Sequence, residues 1–489
     1  MTAMIKKADK EAVRRLQSLR SILLHSIKPP LRHDTTASSL MSSPDSPTLL
    51  LSNSPQQGCS IAIKPMLTQF DETVQIRVYG HGQNAKVTLQ GLVRSQWRKK
   101  EVVFVSHGHF YTDQQGNLDL NTDPALDGTY TGVDPAGLFW SMRPLPGHPQ
   151  DARLVIRDVT KPLVVTIAVF SGHVTPDDDT VAMTSPAKPL CVTRVHRRIL
   201  APGVKRIEIR EGRIRGTLFL PPGRGTHPGV IDMFGAAGGN METRAALLAG
   251  HGFAALSLAF IAFEDLPKRM MDVQFDYFEE ATAWLTKHPA VRAGGLGVVG
   301  VSSGACNAML MAIHCPQVKA VVEINGPPFQ IVNDFLRQGK VFQRAVVTDI
   351  NKVEERQKEG FITRDCYVIT DEDYFPIWKS DAHILCLVCQ DDQQAAWEHA
   401  VRVRDLYPQH KGHLIDVVMY PGAGHLLEPP YTPHCRYCYN PVAMGNVLWG
   451  GEPKAHAVAQ LDAWKRTIDF LHAWLVDTSS SGSDMEQPQ

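Results

Sequence analysis

The sequence predicts a doubly wound, mostly parallel α/β sheet preceded by an all-β sandwich. Two changes of texture and one pentapeptide support this reading. Between residues 61 and 200, short β-branched runs are punctuated by Gly, Asp, Asn and Pro, as in a sandwich of short strands. From about residue 201, apolar strand-like runs alternate with amphipathic helical stretches, the pattern of a parallel sheet with crossover helices. At 300–304 the chain reads Gly-Val-Ser-Ser-Gly, directly after an apolar run and directly before a helix-compatible one. That is a strand–turn–helix elbow.

Residues 1–60 read as a basic extension and linker. Lys6, Lys7, Lys10, Arg14, Arg15, Arg20, Lys28 and Arg32 stand against only Asp9 and Glu11, while Val13, Leu16, Leu19, Ile22 and Leu23 recur at near-helical spacing. A basic amphipathic helix of this kind is similar to a mitochondrial presequence, with a solvated tail as the other reading. The expected setting is intracellular, with the mitochondrial matrix or the cytosol as address. In the β-rich part, 61–200, the clearest strands are 74–78, 87–90, 102–105 and 163–169. Nothing in that stretch offers a nucleophile beside a base. In the α/β part, 201–476, strands are expected at 229–234, 254–258, 296–300, 318–324 and 384–389. Helices are expected at 242–251, 273–287, from 303, and at 454–475. Residues 477–489 read as a disordered tail.

The 489 residues carry 50 Lys+Arg against 50 Asp+Glu, so no global field draws in nucleic acid or an anionic membrane. No apolar run reaches the roughly 18–20 residues that span a bilayer, and stable membrane insertion is not expected. The nine cysteines are odd in number and thinly spread, which suits reduced thiols. The pairs Cys386/Cys389 and Cys435/Cys438 imitate a four-cysteine zinc set. Residues three apart on a strand point to opposite faces, however, so Cys386 and Cys389 cannot converge on one ion. No metal site is expected.

The elbow lifts Ser302 above the sheet, where the following helix N-terminus favours developing negative charge. A serine hydroxyl needs a histidine to take its proton and a carboxylate to hold that histidine. In α/β-hydrolases these follow the serine in the order acid, then histidine. Run 384–389 ends in Gln390-Asp391-Asp392, and 417–420 leads through Pro-Gly-Ala-Gly to His425. His425 is the candidate base. Either aspartate could be the acid, the other forming a turn. Ser303 and the loop Phe234-Gly-Ala-Ala-Gly-Gly239, through Gly235 and Ala236, are the candidate oxyanion donors. The loop lacks the G-x-G-x-x-G fingerprint, so no cofactor is expected. Cys306, one turn into the helix, reads as packing.

The pieces Asp127-Gly-Thr-Tyr-Thr-Gly-Val-Asp-Pro-Ala-Gly-Leu-Phe-Trp-Ser141, Arg213-Ile-Arg-Gly-Thr-Leu-Phe-Leu-Pro-Pro222, His425-Leu-Leu-Glu-Pro-Pro-Tyr-Thr-Pro433 and Trp449-Gly-Gly-Glu-Pro-Lys-Ala-His456 resemble one family. It is the type I acyl-CoA thioesterase and bile acid-CoA:amino acid N-acyltransferase family, and the likeness runs from about 61 to 475. The resemblance implies a β-sandwich followed by an α/β-hydrolase domain and hydrolysis of fatty acyl-CoA to fatty acid and CoA. Its nucleophile falls on Ser302, its acid on Asp392 and its base on His425. Family thioesterases commonly read Ser-Lys-Gly at the elbow, where this chain has Ser302-Ser303-Gly304, and 327–380, matching part of the family's acyl-pocket lid, diverges. The C-terminus, Glu486-Gln-Pro-Gln489, lacks the peroxisomal tripeptide of some relatives. The runner-up activity is transfer of the acyl group to an amine such as glycine or taurine, which in the family goes with a cysteine at the elbow. A third reading is a non-catalytic acyl-CoA-binding protein, against which the complete set of Ser302, Asp392 and His425 argues. Acyl chain length and oligomeric state are not legible.

Overall fold

The computed structural model describes residues 58–177, 188–441 and 443–476. The basic extension and linker expected at 1–60, all but residues 58–60, and the tail expected at 477–489 lie outside the described residues.

The first part of the chain folds into two sheets. One has three strands, Ser60–Lys64, Gln75–Tyr79 and Leu118–Asp119. The other is built around Lys86–Trp97, Lys100–Tyr111, Leu163–Ser171 and Cys191–Arg198, each antiparallel to its neighbour among these four. Alternation buries one face of each against the other. Ile76 and Val78 of the small sheet share a core with Leu89, Phe104, Ile167 and Val195 of the large one. The strands outrun their apolar kernels because cross-strand partners carry the pairing onward. Strand Lys86–Trp97 pairs over its whole length, from Lys86 opposite Tyr111 to Trp97 opposite Lys100, and includes the ion pair Arg94–Glu101.

The second part is one eight-stranded sheet: β1 (Lys205–Ile209), β2 (Arg215–Leu220), β3 (His227–Met233), β4 (Ala254–Ala259), β5 (Val291–Val301), β6 (Val318–Ile324), β7 (His383–Cys389) and β8 (Ile415–Tyr420). Their spatial order is β1-β2-β4-β3-β5-β6-β7-β8. The first three in that order pair antiparallel and the rest are parallel. Helices α1 (Thr243–Gly250), α2 (Asp276–Lys287), α3 (Ser303–His314), α4 (Glu398–Leu406) and α5 (Pro453–Leu475) cover both faces. Period-two alternation sorts the side chains: Val298, Ile384 and Cys386 pack with α2 and α3, whereas Val299, Leu385 and Cys389 pack with α1 and α5. Cys386 and Cys389 therefore sit on opposite faces of the sheet. This strand order, with the elbow at the end of β5, is the α/β-hydrolase fold.

Strands β1 and β2 fell outside the expected elements, and helix α2 begins at Asp276 rather than 273. Segment 327–380, between β6 and β7, forms short strands. Two of them, Glu354–Arg356 and Gly360–Ile362, join Tyr437–Asn440 and Gly445–Leu448 in a four-stranded sheet. No described helix is long and apolar enough to cross a membrane.

Candidate active site

Ser302 stands between β5 and α3 with φ of 56°, a backbone conformation that costs a non-glycine residue on the order of 1–3 kcal/mol. The flanking sequence makes it attainable. A Cβ on Gly300 would lie 2.3 Å from the Gly304 carbonyl oxygen, and one on Gly304 would lie 2.4 Å from that of Phe234. Only glycine fits at either position. The Ser302 amide donates to the Ile324 carbonyl at 2.9 Å, and the Ser302 carbonyl accepts from the Ala305 amide at 2.9 Å. Both ends of the turn are thus tied down, to β6 and to α3. Cys306 is buried, its thiol donating to the Pro327 carbonyl at 3.1 Å, a packing position.

The two aspartates after β7 go different ways. Asp392 is 1% exposed, and its Oδ2 accepts from His425 Nδ1 at 2.7 Å. Its Oδ1 accepts from the amides of Gln394 and Ala395 at 2.7 and 3.1 Å. Asp391 turns away, accepting from the Gly451 amide at 2.7 Å and from Gln393 Nε2 at 2.8 Å, so it braces the loop that precedes α5. With Nδ1 occupied, Nε2 is the ring nitrogen of His425 left to exchange a proton. The His425 ring stacks on Trp449, 5.4 Å between centroids at 13°.

Asn325, just past β6 with φ of 52°, links the acid and base loops. Its Nδ2 donates to the His425 carbonyl at 2.9 Å, and its Oδ1 accepts from the Cys389 amide at 2.8 Å. Beside it, Glu323 is fully enclosed, and burial pushes its carboxyl up to about 8. Arg153, from the β-rich part, is buried and paired with Glu428 at 2.7 Å, three residues beyond His425. Its guanidinium lies 5.1 Å from the Phe234 ring centroid. Sequence reasoning did not single out Asn325, Arg153 or Trp449. The Asn-Gly pair closing β6 was a readable signal for the first, because asparagine tolerates positive φ. No local pattern marks Arg153, whose partner is 275 residues away.

Ser302, Ser303, Gly235, Ala236 and His425 all line one cavity of about 1470 Å³, with Asp392 behind His425. Met241, Ile331, Val353, Phe361 and Tyr367 give it apolar walls, several of them from segment 327–380. No cluster of three or more potential metal ligands occurs among the described residues.

Fold and site together place the chain among α/β-hydrolases with a serine on the elbow. Residues 71–211 match the family model described as acyl-CoA thioester hydrolase/BAAT N-terminal region, and residues 273–477 match BAAT / acyl-CoA thioester hydrolase C terminal. Human acyl-coenzyme A thioesterase 2, mitochondrial, is 37% identical over 83% of this chain and 82% of its own length. Mouse bile acid-CoA:amino acid N-acyltransferase is 39% identical over 85% and 98%. A solved dienelactone hydrolase from Anabaena variabilis aligns with 56% of this chain and 99% of its own at 19% identity and a TM-score of 0.32; the fold assignment rests on strand order and on the family instead. The chain belongs to the acyl-CoA thioester hydrolase/BAAT family.

Proposed function

We propose that this protein hydrolyses fatty acyl-CoA thioesters, with Ser302 as nucleophile, His425 as general base and acid, and Asp392 as the carboxylate that holds His425. The observation carrying the proposal is the enclosed 2.7 Å bond between Asp392 and His425, a histidine that lines the same cavity as the elbow serine. In the first step Ser302 Oγ attacks the thioester carbonyl while His425 takes its proton. The charge on Asp392 stabilises the imidazolium. The Ser303 amide, with Gly235 and Ala236, is assigned to the oxyanion. The C–S bond then breaks, His425 protonates the departing CoA sulfur, and an acyl-serine ester remains. Water, deprotonated by His425, attacks that ester and releases the fatty acid and Ser302. The two sheets of the first part are read as a β-sandwich domain, with the boundary near residue 200.

Ser302→Ala is expected to fold as wild type and to lose acyl-CoA hydrolysis by orders of magnitude. Retention of more than a few per cent of the activity would refute the assignment. Similarity to N-acyltransferases matches similarity to thioesterases, which keeps amine transfer as the second reading. The chemistry of Ser302 favours water, because an oxygen ester is attacked by amines far more slowly than a thioester is. Mass spectrometry of products formed with and without glycine or taurine separates the two.

A further inference from the structure

A thioester of coenzyme A has two unlike ends, an apolar acyl chain and a polyanionic nucleotide, and one cavity must receive both. The apolar walls suit the first. For the second, the lining includes Arg98, Arg157 and Lys268, all exposed and none with a carboxylate partner among the described residues. Two other cations of the lining are already engaged, Arg153 with Glu428 and Arg269 with Asp272.

Arg98 sits on a device that calls for explanation. The hairpin between the strands Lys86–Trp97 and Lys100–Tyr111 turns through Arg98 and Lys99 with φ of 48° and 65°. Two-residue hairpin turns with positive φ at both positions strongly favour Asn-Gly. Here two cations occupy them, followed by Lys100, so a strained turn carries three consecutive positive charges. The hairpin belongs to the β-rich part, yet its tip reaches the cavity of the α/β part. Arg98 stacks 4.2 Å over the Tyr439 ring, and Tyr439 and Trp97 both line the cavity. The Trp97 indole N–H is buried with no partner, a donor left over next to Arg98.

We propose that Arg98, Arg157 and Lys268 form the site for the phosphate groups of coenzyme A, with the Arg98–Lys99 turn as its clasp. The assignment rests on the acyl-CoA reading above and adds to it a role for the β-rich part. Guanidinium groups bind phosphate by paired, charge-assisted hydrogen bonds, and Arg98 is held ready for this by its stacking on Tyr439.

The test compares one acyl chain carried on coenzyme A and on pantetheine, which lacks the nucleotide. Wild type is expected to prefer the CoA thioester in kcat/KM. Arg98→Gln is expected to reduce that preference roughly tenfold through KM, Arg98→Lys to reduce it less, and the triple Arg98→Gln/Arg157→Gln/Lys268→Gln variant to abolish most of it. An unchanged preference in the triple variant overturns the proposal. Calorimetric binding of free coenzyme A, which needs no chemistry, is measured on the same proteins, with the triple variant expected to bind at least tenfold more weakly. Should wild type cleave neither thioester while the triple variant loses coenzyme A binding, the hydrolytic reading fails and the phosphate site stands. Equal binding by the two proteins removes the site.

Discussion

At the scale of the residue, two adjacent carboxylates have different work. Asp392 is enclosed and bonded to His425, while Asp391 holds the Gly451 amide. Asp392→Asn presents a donor where His425 Nδ1 needs an acceptor, and should lower kcat on the order of 10³–10⁴-fold with little change in KM. Asp391→Asn keeps an oxygen for Gly451 and should stay within a few-fold of wild type. Steady-state kinetics on both variants checks this, and a crippled Asp391→Asn beside an active Asp392→Asn would reverse the roles. Ser302 and His425 could be read from the sequence because each follows a strand that announces itself by its apolar run. The choice between Asp391 and Asp392 could not, since both leave the same strand end; there the family resemblance selected the residue. Trp449 lay inside a recognisable motif, but its stacking on His425 depends on a chain reversal that no local pattern shows.

At the scale of the element, the end of β6 serves several parts of the site at once. It receives the Ser302 amide through Ile324, links the acid and base loops through Asn325, and encloses Glu323. Glu323 accepts from the Gly326 amide through Oε1, and the Cys386 thiol is the carboxyl's other polar neighbour. With its pKa pushed by burial to about 8, the folded protein holds a proton that the unfolded chain releases near the ordinary value of 4.5. Stability from this group is therefore full below about pH 4.5 and declines as pH rises towards 8, by a total on the order of 5 kcal/mol. Glu323→Gln carries no such proton. Urea denaturation at intervals from pH 5 to pH 8.5 should show wild type losing stability relative to the variant as pH rises; parallel curves would mean that folding does not raise the pKa of Glu323. The parallel strands β3 to β7 were legible because strands buried on both faces read as unbroken apolar runs. Edge strand β1, with its Lys-Arg-Ile-Glu-Ile alternation, reads as surface. The short strands within 327–380 were hidden for another reason: Phe361 pairs with Val447, too far along the chain for any window to see.

At the scale of the whole molecule, the β-rich part is fastened to the catalytic part at several points. Asp71 accepts from the Trp464 indole on α5 at 2.9 Å, and Lys454 at the start of α5 reaches Asp134 at 2.6 Å. The fastening nearest the chemistry is Arg153–Glu428. Burial is the largest single influence on Arg153 and works against its charge, but the field and hydrogen bonds of Glu428, together with Cys438 and Cys435, outweigh it, so the guanidinium stays protonated. Glu428 lies on the loop that carries His425, and Arg153 covers Phe234 beside the candidate oxyanion amides, so this ion pair spaces two walls of the site from outside the α/β sheet. Removing one member leaves a buried charge unpaired, which costs about 3–5 kcal/mol, whereas removing both costs less than the sum. Glu428→Gln and Arg153→Met should each destabilise the protein by that order. The double variant should recover a large share, because neither charge is then stranded. Chemical denaturation of the three variants and wild type closes the cycle. Activity gives an independent reading: Arg153→Met should lose turnover in the double variant as well, since restoring stability does not restore the group that covers Phe234. Strictly additive destabilisation would show that the two parts are held together without this pair.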